Sequence, residues 1–285
     1  MTKLLDVENL TVTFPTRQGE FHAVRGLSLS LGQERLGIVG ESGSGKSMTG
    51  RAILRLIRKP GKVTADRMEL NGRDLLAMSE KEMQGVRGQE ISMVMQDPKF
   101  SLNPVMNVGD QIMEIYRFHT GASKKAAYAK AIEMLNAVSI RDPERVMKAY
   151  PHEMSGGMGQ RIMIAMMLVT EPKILIADEP TSALDVSVQT QVLAIIDKLV
   201  RERGMGLILI SHDLNLVASF CDRVLIMYAG RVVEICEAGK LHEAKHPYTR
   251  GLLGSLPRID APRERLEVLQ RDETWRDAES VSGRT

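Results

Sequence analysis

Apolar and polar positions change period several times along the 285-residue chain. Residues 4–14 and 21–31 read as strands. In the second, Ala23, Val24, Leu27, Leu29 and Leu31 include a clear alternation, the pattern of a half-buried strand. Pro15 to Gly19 forms the connection. Leu36-Gly37-Ile38-Val39 is short and apolar, as a buried strand should be. Behind it Met48, Ala52, Ile53, Leu56 and Ile57 share one helical face to about residue 58, where Lys59-Pro60-Gly61 stops the helix. Arg67 to Leu70 is a short strand closed by Asn71-Gly72, a hairpin turn signal. Residues 79–85 read as a short helix.

Further on, Ile91 to Met95 is a strand ending at Gln96. Asp97 to Pro104 is a loop, because Pro98 and Pro104 lack an N–H and restrict the residue before them. Residues 107–118 and 123–138 read as helices. Ile162, Met163, Met166 and Met167 then repeat at helical spacing until Glu171-Pro172. Ile174-Leu175-Ile176-Ala177 is apolar at every residue, as parallel strands covered on both faces tend to be. A helix over 187–203 stops at Gly204, and Leu207 to Ile210 is another fully apolar strand. Strands follow at 224–227 and 232–235. From about Arg258 charged residues dominate, and a mobile tail is expected.

Charge and cysteine usage narrow the classes. Lys plus Arg is 38 and Asp plus Glu is 36, a net charge of +2 that gives no support to a nucleic-acid partner. Cys221 and Cys236 form no CxxC pair, so free thiols and no zinc site are expected. No apolar run approaches the roughly 18 residues of a membrane span. The N-terminal residues do not read as a signal peptide. The 18 methionines read as adaptable core filler.

The chemistry centres on Gly40-Glu41-Ser42-Gly43-Ser44-Gly45-Lys46-Ser47, which fits the phosphate-binding pattern G-x-x-x-x-G-K-[ST] between a strand and a helix. Glycines let the backbone curl so that successive N–H groups face phosphate oxygens. The helix N-terminus adds partial positive charge. Lys46 would reach the outer phosphates and the Ser47 hydroxyl would ligate magnesium. Asp178 and Glu179 follow an apolar strand, where ligands of α/β sheets bind. The first can hold magnesium, and the second can orient and polarise an attacking water. His212 also follows an apolar strand and can donate a hydrogen bond to developing charge. The histidines at 22, 119, 152, 242 and 246 carry only a structural reading. Ser155-Gly156-Gly157 opens a helix and could grip a second phosphate, though an ordinary capped helix has the same look.

Together Gly40–Ser47, Gln96, Ser155-Gly156-Gly157, Ile174–Glu179, Ser182-Ala183-Leu184-Asp185 and His212 resemble, in order, the landmarks of ATP-binding-cassette ATPases. These are the Walker A loop, Q-loop, signature, Walker B, D-loop and switch histidine. The resemblance covers residues 4 to about 256. The usual L-S-G-G-Q appears as Met154-Ser155-Gly156-Gly157-Met158, with the serine and glycines retained. Met95 to Pro104 resembles the Q-loop of oligopeptide, dipeptide and nickel importer ATPases, and His246-Pro247-Tyr248-Thr249-Arg250-Gly251-Leu252-Leu253 resembles their C-terminal element. Some members carry an iron–sulfur cluster on a cysteine-rich tail. No cysteine follows Cys236, so none is expected here.

The resemblance implies an α/β fold. It would have a P-loop ATPase core with a mostly parallel sheet, an N-terminal antiparallel β-subdomain and an inserted helical subdomain at about 97–170. A charged tail would follow at 257–285. It implies ATP and Mg2+ as cofactors, with Ser47, Gln96 and Asp178 at the metal and Glu179, His212 and Gln96 in hydrolysis. Asp185 would join the nucleotide site, and adenine would stack on Phe14 or, failing that, Phe21. It implies a second ATP-binding subunit, identical or homologous, packed head to tail. It also implies two transmembrane permease subunits, a periplasmic solute-binding protein, and peripheral attachment at the cytoplasmic face of the inner membrane. The loop Asp97–Pro104 would link nucleotide state to the membrane subunits, with Phe100 and Leu102 at the contact.

The alternative within the family is a soluble cassette ATPase of translation or DNA repair. Paired cassettes, long coiled-coil insertions and zinc sites mark those proteins, and none is present. A GTP-dependent switch would need an Asn-Lys-x-Asp motif, which is absent. The solute is not encoded in this chain.

Overall fold

The computed structural model describes residues 3–95, 102–182, 184–255, 272–276 and 280–284. The chain forms two compact units, residues 1–77 with 208–285, and residues 78–207.

The first unit starts with β1 (Leu5–Thr16) and β2 (Gly19–Leu31), paired antiparallel from Leu5↔Leu31 to Thr16↔Gly19. Their inward residues, among them Leu5, Val7, Leu10, Leu27 and Leu29, are fully buried. Burying each such side chain stabilises by about 1.5–3 kcal/mol. Next come β3 (Arg35–Val39) and α1 (Lys46–Ile53). The apolar face predicted to continue the helix to about residue 58 is cut short. Arg55 takes a left-handed φ of 52°, and Leu56 N–H donates to the Arg51 carbonyl. The helix thus closes ahead of Pro60. Strands β4 (Lys62–Thr64), β5 (Arg67–Leu70) and β6 (Arg73–Asp74) complete an antiparallel sheet of order β2-β1-β5-β6, with β4 also on β1. The expected turn lies between β5 and β6, with Asn71 and Gly72 at φ 49° and 75°.

The second unit opens with α2 (Glu80–Val86), fastened by a capping box of Ser79 and Glu82. Strand β7 (Ile91–Val94) follows, then helices α3 (Val108–Thr120), α4 (Lys124–Ala137), α5 (Pro143–Lys148) and α6 (Gly156–Leu168). Helices α3 and α4 start on side-chain caps, Asn107 and Ser123, each worth about 1 kcal/mol. Helix α5 was not expected, since its six residues are too few to show a period. Strand β8 (Ile174–Asp178) pairs parallel with β7, and both are buried throughout. Helix α7 (Val186–Arg203) runs from an Asp185 cap to Gly204 at φ 59°.

Strand β9 (Gly206–Ser211) carries the chain back to the first unit, where it lies beside β3. Helix α8 (Leu214–Phe220) and strands β10 (Arg223–Tyr228) and β11 (Arg231–Glu237) follow. Strand β10 pairs parallel with β3 and antiparallel with β11. Helix α9 (Pro247–Gly254) comes next. Within the stretch expected to be a charged tail, residues 280–284 are bonded to this unit. Gly283 exchanges backbone hydrogen bonds with Ser28 and Ser30, and Val281 N–H donates to the Val232 carbonyl. The Arg284 guanidinium forks onto both carboxylate oxygens of Asp6 at 3.0 Å each. Burial raises the Asp6 carboxyl, but hydrogen bonding and charge from Arg284 outweigh it and hold Asp6 below its usual range.

Candidate functional site

In the first unit the chain leaves β3 at Val39, curls through Gly40–Gly45 and enters α1 at Lys46. Two glycines are demanded by geometry. A Cβ at Gly40 would stand 2.2 Å from the Met227 carbonyl oxygen. Gly45 has φ +99°, and a Cβ there would stand 2.4 Å from the Ala23 carbonyl oxygen. The loop is thus wedged between β2 and β10, and only glycine permits so close an approach.

Lys46 is 5% exposed, and its ammonium donates to the Gly40 and Glu41 carbonyls at 2.8 Å each. It holds the loop's curvature from inside. Ser44 is also buried, yet its Oγ has no hydrogen-bond partner among the described residues. A buried polar atom without a partner is costly. Beside a lysine ammonium and a helix N-terminus, it fits a ligand bearing anionic oxygens. Ser47 is half-buried in the first turn of α1. His212 stands exposed just past β9, while its neighbour Asp213 caps α8 through the Leu216 N–H at 3.1 Å. Phe14 and Phe21 face each other across β1 and β2. The Phe14 ring edge leans on Gly61, whose added Cβ would stand 2.6 Å from Phe14 Cε1. Phe21 is 57% exposed.

In the second unit Asp178 ends β8 and is 3% exposed. Glu179 follows at φ 46°, and its carbonyl accepts from the Ser182 N–H and hydroxyl at 3.3 and 3.2 Å. A non-glycine residue held in this region costs about 1–3 kcal/mol, and such strain gathers at functional sites. The structure also brings together two motifs far apart in sequence. Ser155, Gly156 and Gly157 share a surface cavity of about 410 Å³ with Leu184, Asp185 and Val188. Ser155 caps α6 through the Met158 N–H at 3.4 Å, and Asp185 caps α7 through the Val188 N–H at 3.0 Å. Two helix N-termini therefore open on one cavity, a setting that favours negative charge. Gln96 lies outside the described residues, as do Ala183 and loop residues 97–101. Leu102 is buried.

A model of the ABC transporter family matches residues 24–182. This chain belongs to that family. The model for the oligopeptide/dipeptide transporter C-terminal region matches residues 233–281. The oligopeptide transport ATP-binding protein OppD of Salmonella typhimurium is 48% identical over 260 residues, 90% of this chain and 77% of that protein. The dipeptide transport ATP-binding protein DppD of Escherichia coli K12 is 48% identical over 268 residues, 93% and 82% of the two chains. Among solved structures, the dimeric bacterial ABC transporter cassette MJ0796 superposes with a TM-score of 0.73 at 26% identity, covering 82% of this chain and 98% of that one. A post-hydrolysis state of MJ0796 bound to ADP and Pi gives 0.71 at 27% identity, with the same coverage. As a family member the chain is an ATPase subunit that binds ATP. Among the described residues no helix is long and apolar enough to cross a membrane.

Sequence reading missed one residue at this loop. The Glu41 N–H donates to the Tyr248 hydroxyl at 3.1 Å, across 207 positions. The motif around Tyr248 was visible, but nothing local could point it at the phosphate loop.

Proposed function

We propose that the chain is the ATP-hydrolysing subunit of an importer for peptides or a closely related solute, working at the cytoplasmic face of the inner membrane. The observation that carries the importer reading is the match of residues 233–281 to the oligopeptide/dipeptide transporter C-terminal region, and the built phosphate loop and the two-helix cavity at Ser155–Asp185 support its ATP-hydrolysing part. Each subunit then offers a nucleotide one complete loop and one signature. Two subunits, identical or homologous, pair head to tail so that each loop meets the other's signature.

Lys46 would neutralise the outer phosphates. Ser47, Gln96 and Asp178 would each offer an oxygen to Mg2+, whose remaining positions suit phosphates and water. Glu179 would act as base on the attacking water, while His212 and Gln96 would stabilise and sense the transferring phosphate. Phe14, or Phe21 in its place, would stack the adenine. Two permease subunits and a periplasmic binding protein would complete the machine.

The test is Glu179→Gln, a near-isosteric change that removes the base. The variant should bind ATP with wild-type affinity and accumulate as an ATP-bound dimer in size-exclusion chromatography. Turnover should fall roughly a hundredfold or more. Wild-type turnover would move the base elsewhere. Peptide uptake that survives deletion of this chain from cells with one such system would remove the importer assignment.

A further inference from the structure

We infer that Tyr248 is a positioning residue of the nucleotide site, through which the C-terminal element sets the geometry of the phosphate loop. A single peptide group joins the two contacts. The carbonyl of Gly40 and the N–H of Glu41 belong to one amide plane. The carbonyl accepts from Lys46 Nζ at 2.8 Å, and the N–H donates to the Tyr248 hydroxyl at 3.1 Å. The plane is therefore gripped at both ends, by the residue that meets phosphate and by a residue 207 positions away. Were the tyrosine end released, this peptide could rotate, and the oxygen that seats the Lys46 ammonium would move with it.

Tyr248 is itself held firmly. Its side chain is fully buried. The ring packs on Tyr228 at 4.7 Å between centroids, and Trp275 meets both rings edge-on at about 6 Å. Its backbone N–H donates to His246 Nδ1 at 3.2 Å at the start of α9. Burial lowers the basicity of His246 against the pull of Glu234, which favours the neutral ring this acceptor role needs. The Glu234 carboxylate, on β11, accepts from the N–H groups of Lys245 and His246 at 2.6 and 3.2 Å. A continuous chain of contacts thus runs from β11 and Trp275 through α9 to the loop. Tyr228 ends β10, the strand whose Met227 carbonyl crowds Gly40. The loop is braced by β10 on one side and by Tyr248 on the other.

This inference rests on the loop's role in ATP binding. The test is Tyr248→Phe in the full chain, which keeps the ring and its packing and removes the hydroxyl that accepts from the Glu41 N–H. A neutral hydrogen bond supports an effect of roughly five- to tenfold. The dissociation constant for ATP and KM should rise by that factor, with kcat within about twofold. Hydrogen exchange should quicken in the peptide covering residues 40–47. A merely structural tyrosine would lower the melting temperature without moving KM, and that result, or an unchanged KM and melting temperature, overturns the proposal. A fall in kcat at constant KM overturns it too. Should Tyr248→Phe fail to fold, Trp275→Leu loosens the same ring while keeping the hydroxyl. A KM rise there supports the proposal and an unchanged KM overturns it. Absence of ATP binding in the wild-type chain would sink the loop assignment instead, so the two failures are distinguishable.

Discussion

The helix that follows Gly45 and the helix that follows Ser155 both open on glycine-rich sequence, yet they start in opposite ways. Helix α1 has no side-chain cap. Its N-cap is Gly45 at φ +99°, pressed against the Ala23 carbonyl, and the loop before it is held by Lys46 from within and Tyr248 from without. Helix α6 starts on an ordinary serine cap at φ −68°, and Gly156 has room for a methyl group, an added Cβ making only ordinary van der Waals contact with Leu184 at 3.9 Å. The first is a closed receptacle whose backbone is fixed before any ligand arrives. The second is an exposed surface that needs something brought to it. Preorganisation would suit the loop's proposed role of binding ATP in a single subunit. An open surface would suit the proposed half-site, which completes a nucleotide held by a partner.

Removing the receptacle's charge should have the largest effect. Lys46→Ala takes away both the ammonium that would meet phosphate and the two bonds to Gly40 and Glu41. ATP binding, followed by a fluorescent nucleotide analogue, and hydrolysis should both fall by roughly a hundredfold or more. Unchanged affinity and turnover would remove this loop from the site. Ser155→Ala offers the counterpart in α6. It should leave nucleotide affinity of the isolated chain alone and cost only about 1 kcal/mol of stability from the lost cap.

Paired glycine substitutions sharpen the contrast. Gly45→Ala forces a residue into φ +99° against a backbone oxygen at 2.4 Å, so the loop must deform. The backbone conformation alone should cost about 1–3 kcal/mol, read as a lower melting temperature together with weakened ATP binding. Gly156→Ala should do the reverse. Alanine is a better helix former than glycine by up to about 1 kcal/mol, so stability should hold or rise while ATP still binds. Turnover should nonetheless drop by about tenfold, because a methyl group now covers the amides a second subunit's phosphate would approach. Equal effects of the two substitutions would erase the distinction between receptacle and surface.

What the sequence carried follows from these differences. The closed loop was legible because its constraints are local. Glycines, Lys46 and Ser47 sit within eight positions, between a strand and a helix that show their own periods. The order of the remaining motifs then pointed to the cassette fold with its separate antiparallel sheet. The end of α1 was misplaced because the apolar face continues past Ile53, whereas the chain leaves the helix through the left-handed Arg55. Helices α5 and α8 escaped for want of length, although Asp142 and Asp213 stand as caps before them. Of the walls around Ser155–Gly157, Leu184 belongs to the Ser182–Asp185 motif already visible in the sequence, whereas Val188 lies in the helix behind it and carries no signal of its own. Tyr248 escaped for the same reason at longer range, since a hydroxyl meeting an amide 207 residues away leaves no pattern to read.

The smallest expected effect concerns Met158, where the family more often has glutamine. Met158 is half-buried and lines the cavity with Arg161, Leu184, Asp185 and Val188. What α6 would offer a phosphate comes from elsewhere. Its N-terminal amides and the Ser155 hydroxyl depend on the backbone, and Met158 joins them only through its N–H, which donates to Ser155 Oγ. Glutamine has nearly the same length and a similar helix propensity, so Met158→Gln should leave the cap intact. Stability should change by less than about 0.5 kcal/mol and turnover by less than about twofold. A tenfold loss would mean that the apolar lining is itself part of the contact between subunits, and that the surface is more specialised than an open helix start. A tenfold gain would mean that the methionine restrains hydrolysis in this chain. Only a near-neutral result agrees with a half-site whose work is done by backbone and serine.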